Sequence, residues 1–171
     1  MIRKVALLGA VLLLGASIAG ATTLVKMEFS ELARDANYIV VGTVTGVEGE
    51  WDPSLNFIRS NVTLSVERSF RGNAPDRLIV RTPGGWVGGE GQVAHGAATF
   101  EVGEKVLVFL THWEDGANKV LGYVQGKSQV TWDGQGQPRL KGGAADGRLL
   151  DAVERELRHG PSHNIPLRPK S

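Results

Sequence analysis

Residues 57–70 alternate with a period of two. Ile58, Val62, Leu64, Val66 and Phe70 share one parity, and Asn61, Thr63, Ser65 and Glu67 share the other. Successive side chains of a strand point to opposite faces, so this stretch is expected to lay one face on a core and the other in water. Two further stretches are apolar on both faces: Tyr38-Ile39-Val40-Val41, and the run from Phe100 that continues through Val106-Leu107-Val108-Phe109-Leu110. Strands buried on both sides lie in the middle of a structure. Together these three stretches commit the chain to a β architecture.

The remaining elements follow from spacing and turn chemistry. Phe29, Leu32, Ala33 and Ala36 recur at helical spacing over residues 29–36, with Ser30 as the expected cap. Strands are expected at 38–47, 57–70, 78–82, 105–112, 120–124 and 128–132, with a further turn at Asp133-Gly134 toward Leu140. The links between them are Trp51-Asp52-Pro53-Ser54, Arg71-Gly72-Asn73-Ala74-Pro75 and the Asp115-Gly116 hairpin turn. Gly42 and Gly46 inside the first strand mark a bend or a close backbone approach. Residues 149–159 form an amphipathic helix on Leu149, Leu150, Val153 and Leu157, with Asp146 as its candidate cap, ended by Gly160 and Pro161.

The expected fold class is mainly β: a five- to six-stranded antiparallel OB-like barrel with a short N-terminal helix and a C-terminal amphipathic helix. Closure into a small barrel covers strand edges more completely than a two-sheet sandwich does.

The start of the chain has the pattern of a secretory signal peptide, with a retained single membrane anchor as the rival reading and no stable membrane span expected after cleavage. Arg3 and Lys4 precede an apolar run, and Ala19-Gly20-Ala21 supplies small residues for cleavage. The expected organisation is a signal peptide over 1–21, a barrel domain over 22–145, a helix over 146–160 and a tail over 161–171, in a secreted or periplasmic protein. The chain contains no cysteine. Packing rather than disulfides must hold it, and thiolate metal sites and cysteine nucleophiles are excluded. The formal net charge of +1 argues against a nucleic-acid partner, which calls for a clustered basic face.

No catalytic set emerges from the motifs. The glycine-rich loop Pro83-Gly84-Gly85-Trp86-Val87-Gly88-Gly89-Glu90-Gly91 lacks the Gly-Lys-Ser/Thr and the following helix that a phosphate loop needs. There is no Gly-x-Ser-x-Gly elbow and no His-Glu-x-x-His pair. His159 and His163 are separated by the helix-ending Gly160-Pro161, and His112 sits in a turn with Glu114 and Asp115. Glu48, Glu50 and Asp52 suit a solvated loop, and Glu154 and Glu156 suit a helix surface. No cofactor and no metal are expected. The candidate binding residues are Gly84, Gly85, Trp86, Glu90 and His95. Trp86 is either an exposed anchor for a partner or a lid folded onto the barrel, since exposed loop tryptophans are common hot spots while tryptophan is usually well buried.

Phe29, then Ala36-Asn37-Tyr38-Ile39-Val40-Val41-Gly42-Thr43-Val44, then Val62-Thr63-Leu64-Ser65-Val66-Glu67-Arg68-Ser69-Phe70-Arg71-Gly72, resembles the N-terminal domain of the tissue inhibitors of metalloproteinases and the related netrin module. The same order continues in residues 78–82, Phe100, Val102-Gly103-Glu104-Lys105 and 106–110. The resemblance spans roughly residues 29–124. It implies an OB-type five-stranded barrel and a metalloprotease as a candidate partner. Those inhibitors chelate the enzyme's zinc through an N-terminal cysteine. Here Thr22 is the expected first mature residue, so the chelating mechanism does not carry over, and the Thr22 α-amino group is left as a further candidate binding group. The resulting expectation is a non-catalytic module that binds an extracellular or periplasmic protein. The alternatives are a barrel that binds carbohydrate or a small ligand, and a hydrolase with a carboxylate or histidine site.

Overall fold

The structure, a computed structural model, describes residues 25–159. Expectations for residues 1–21, for Thr22, for His163 and for the tail lie outside those residues. Among the described residues no helix is long and apolar enough to cross a membrane.

Helix α1 (Phe29–Asp35) leads into β1 (Tyr38–Asp52), β2 (Phe57–Arg71) and β3 (Arg77–Pro83). A small ribbon of β4 (Gly85–Val87) and β5 (Glu90–Gln92) follows. Then come β6 (Lys105–His112), β7 (Asn118–Val120), β8 (Lys127–Trp132), β9 (Pro138–Lys141) and helix α2 (Leu150–His159). The protein is mainly β, with one seven-stranded sheet in the order β1-β2-β3-β7-β6-β8-β9, the separate β4–β5 ribbon, and two helices. Strand β1 also pairs with β6, so the hydrogen bonding of β1, β2, β3, β7 and β6 runs round a circuit. One join in that circuit is parallel and thin, the single Val80–Asn118 pair between β3 and β7. The β8–β9 hairpin branches off β6. The expected count of five or six antiparallel strands is therefore exceeded by short strands at the turns.

The two-faced strands lie where their composition demands. Ile39 and Val41 of β1 join Leu107 and Phe109 of β6 in a cluster with Phe29, Leu32, Leu140, Leu150 and Val153, so both helices pack on this side. Val40 and Val44 join Val106, Val108 and Leu110 in a second cluster with Val62, Leu64, Leu78, Val80 and Phe100. Each fully buried Val, Leu or Phe contributes about 1.5–3 kcal/mol of transfer free energy. Strand β2 keeps its alternation along its whole length, with Ile58, Val62 and Leu64 fully buried. Gly42 lies 2.5 Å, measured from where a Cβ would sit, from the Ser65 carbonyl oxygen. The β1–β2 register shifts between Val41 and Gly42 and again between Val44 and Gly46, so both glycines mark irregular turns of the strand.

Several local expectations need correction. The cap of α1 is Glu28, whose N–H bonds to Glu31 Oε2 at 2.9 Å, while Ser30 lies inside the helix. Strand β1 continues to Asp52. The strand expected over 120–124 ends at Val120, because Gly122 and Tyr123 both take positive φ (69° and 58°) and the chain turns into a 3-10 segment. Asp146 accepts from the Gly142 N–H at 2.7 Å instead of capping α2. Glu154 is 5% exposed, not a surface charge, and its Oε2 accepts from Arg68 Nη1 of β2 at 2.6 Å.

The two clusters are expected to unfold as one unit because β1 and β6 belong to both. Leu107→Ala on one face and Leu64→Ala on the other should each cost about 2–5 kcal/mol in urea unfolding. Each variant should keep a single transition with coincident fluorescence and circular dichroism. Two separated transitions would show that the faces are independent.

Candidate functional site

From residue 45 to residue 52 β1 pairs with β2 alone and forms an edge arm of the sheet, with Glu50 opposite Arg59 and Asp52 opposite Phe57 near its tip. Strand β2 stays paired with β3 and keeps Ile58 and Val62 buried. A cleft lies on each face of this arm.

The inner cleft has a volume of about 380 Å³ and lies between the arm and the β4–β5 ribbon. Gly84 and Gly85 root the ribbon. The Gly84 N–H donates to the Ile58 carbonyl at 2.8 Å, and the Gly84 carbonyl accepts from buried Ser60 Oγ at 2.8 Å. Thr82 Oγ1 donates to the Ala98 carbonyl at 2.9 Å and ties the segment after the ribbon to the same root. The Trp86 carbonyl lies on Gly49 of β1, so close that a Cβ there would come within 2.0 Å of it. Gly88 and Gly89 close the ribbon with φ of 58° and 89°, both positive as a two-residue type I′ turn requires. The glycine-rich stretch is thus a short, anchored hairpin. Val47, Val62, Val93 and Phe100 give the cleft its apolar lining.

Trp86 is 74% exposed, so the indole is not folded down as a lid on the barrel. It pairs across the ribbon with Gly91, and its ring lies over that glycine, within 2.9 Å of where a Cβ would be. One ring face is thereby supported by backbone. Glu90 is exposed on β5, and His95 is exposed in the turn before Gly96. Gly84, Gly85 and Trp86 line the inner cleft, whereas Glu90 and His95 do not.

The outer cleft was not foreseen. Its volume is about 560 Å³, and it lies between the β1–β2 turn, β3 and the β6–β7 turn. Leu55, Phe57, Pro83 and Trp113 provide apolar surface, and Arg59, Arg81 and Lys119 provide cations. Lys119 Nζ sits 4.3 Å from the centre of the Trp113 ring, within cation–π range. Asp52 is 5% exposed and not a solvated loop residue. It accepts from Ser54 Oγ at 2.6 Å, the Ser54 N–H at 3.0 Å and Arg59 Nη1 at 2.6 Å. Asp115 accepts from the Ala117 N–H at 3.0 Å and pairs with Arg81. The Ser54 hydroxyl, followed by the Ser54 amide and the Arg59 charge, holds the Asp52 carboxyl below the ordinary aspartate range. The Ala117 amide and then Arg81 do the same for Asp115. His112 borders this cleft and meets Tyr38 edge-on at 5.8 Å between ring centres. Among the described residues no group of three or more histidine, aspartate or glutamate side chains converges as a metal cluster.

The signal for the outer cleft was present in the sequence as two ordinary turns. Each acid sits two residues before the backbone N–H it accepts from, the Asx-turn habit of aspartate. Neither turn reveals that the other lies across a cleft from it.

Comparison with models of known protein families, with curated proteins and with solved structures finds no match for this chain.

Asp52 and Asp115 have depressed folded-state pKa values, so their stabilisation is present above the unfolded value, near about pH 4, and is lost as pH falls through the folded value. The urea midpoint should therefore drop on acidification from about pH 6 to about pH 2, and Asp52→Asn should flatten that drop. An unchanged pH dependence in Asp52→Asn would show that Asp52 titrates alike in both states.

Proposed function

We propose that this chain is a secreted or periplasmic, non-catalytic binding module on an OB-like barrel, and that it engages another extracellular or periplasmic protein through the β4–β5 ribbon. The observation that carries this reading is Trp86, a large aromatic held 74% exposed on a ribbon fixed to the body of the fold. An indole that is already immobilised loses little conformational freedom on binding, which is why buried aromatic anchors dominate interface energetics. The other tryptophans are also exposed, Trp132 at 63%, Trp51 at 39% and Trp113 at 38%. Trp51 and Trp113 lie near the β1–β2 tip, on its inner and outer sides. Supporting the barrel is the circuit of pairings through β1, β2, β3, β7 and β6, with the second apolar cluster inside it. A metalloprotease is the partner class suggested by the resemblance to the metalloproteinase inhibitors. The secreted location rests on residues 1–21.

A second reading has its own support. The outer cleft joins Trp113, Lys119, Arg81 and Phe57, an apolar floor with a few polar groups of the kind that holds a small ligand or a sugar ring. The hydrolase alternative would use His112 with Glu114 or Asp115, which line the same cleft.

Trp86→Ala should weaken capture of a secreted zinc endopeptidase, or of another partner recovered from the extracellular or periplasmic fraction, by roughly 30-fold or more. Its unfolding free energy should stay within about 0.5 kcal/mol of the parent. Recovery at background level, or recovery indifferent to Trp86→Ala, would contradict the proposal.

A further inference from the structure

The free edge of β1 points to the form the partner takes. Strand β1 pairs with β6 only as far as Thr43–Lys105. Two more bonds, Val44 N–H to the Glu104 carbonyl and Gly103 N–H to the Val44 carbonyl, close that side. From residue 45 to residue 52, β1 pairs with β2 alone, and no strand among the described residues pairs with its other edge. A strand directs its backbone groups alternately to its two sides, so this edge offers a row of donors and acceptors. Neither proline nor lysine, the usual guards of an open edge, occurs in residues 45–51.

We propose that this edge takes up an extended, cationic segment of a partner polypeptide as an added strand, a mode of docking that rests on the binding-module reading above. The side chains of the arm set the chemistry of that segment. Val47 and Gly49 face the inner cleft, with Trp51 next along the same face. Glu48 and Glu50 face the opposite way, and both are exposed. Glu101 lines the inner cleft and Glu90 stands on the ribbon beyond it. Among the described residues Glu48, Glu90 and Glu101 form no ion pair, while Glu50 Oε2 accepts from Asn61 Nδ2 at 2.9 Å and pairs with Arg59 at 3.7 Å.

An added strand would therefore place apolar side chains against Val47 and the cleft, and lysine or arginine side chains opposite Glu48 and Glu50. Cross-strand pairs of opposite charge stabilise a sheet and like pairs oppose it. A second copy of this chain would set the same acids against each other, so the acids disfavour self-pairing and favour a cationic partner.

The test uses a fluorescent capped peptide of alternating lysine and valine, titrated against the chain and followed by anisotropy. Comparison peptides replace lysine by glutamate, or keep the lysines and carry N-methyl groups on alternate amides. The lysine peptide should bind, the glutamate peptide should not, and N-methylation should abolish binding. Glu48→Lys/Glu50→Lys should weaken binding roughly tenfold or more, with the unfolding curve showing that the variant is folded. Equal binding of the N-methylated peptide would overturn the proposal, because charge without an added strand would suffice. Dimerisation in sedimentation that Glu48→Lys/Glu50→Lys changes would also overturn it, giving the edge to a second copy. No binding of the lysine peptide, while Trp86-dependent capture of a partner persists, would remove the added strand and leave the binding-module reading standing.

Discussion

The pairing of β1 with β6 is the contact on which the rest of the structure depends. Residues 38–43 lie against residues 105–110, and both strands are apolar on both faces. Ile39, Val41, Leu107 and Phe109 hold the helices, while Val40, Val44, Val106, Val108 and Leu110 face the other cluster. A chain without cysteine has no covalent staple, so this doubly buried pair carries the cohesion that disulfides supply in many secreted domains. It also makes β1 two strands in one. Its first half is fixed between two cores, and its second half runs on as an edge strand paired with β2 alone.

Polar groups fix what the arm carries. Ser60 and the Ile58 backbone bind the root of the β4–β5 ribbon, and Gly49 lets the Trp86 carbonyl lie against β1. On the other face Asp52 and Arg59 hold the turn, and Arg81 with Asp115 joins β3 to the β6–β7 turn. Lys127 ties the segment before β6 to β8, donating to both oxygens of Glu104 at 2.7 and 2.8 Å and to the Thr99 carbonyl at 2.6 Å. Such partly buried pairs give register and direction more surely than net stability, because desolvation offsets much of their attraction. The consequence is an arm with a cleft on each face and aromatic side chains around its tip.

Much of the scaffold was legible in the sequence. Alternation at period two located β2, and the two-faced runs located β1 and β6, because burial acts directly on those residues. Short strands such as β4, β5 and β7 were not, since three residues carry no period and their pairing is decided by neighbours distant in the chain. Trp86 stood out as a candidate because a tryptophan among glycines is conspicuous, yet whether its ring stayed exposed or folded down depended on Gly91 and Gly49. The outer cleft was hidden because it joins two turns far apart in the chain. Glu154 was misjudged for a similar reason: its helix pattern places it on a surface, and only Arg68 of β2 explains its burial. Tertiary proximity, not local preference, separates what was read from what was missed.

Native-state hydrogen exchange along β1 tests the division of that strand most directly. Amides of residues 40–41 and 106–110 should exchange only through global unfolding, with the largest protection in the chain. Amides of residues 45–51 that point away from β2 should exchange orders of magnitude faster, as those of an open edge do. Uniform, core-like protection from residue 38 to residue 52 would contradict the picture of a doubly buried strand that continues with one open edge.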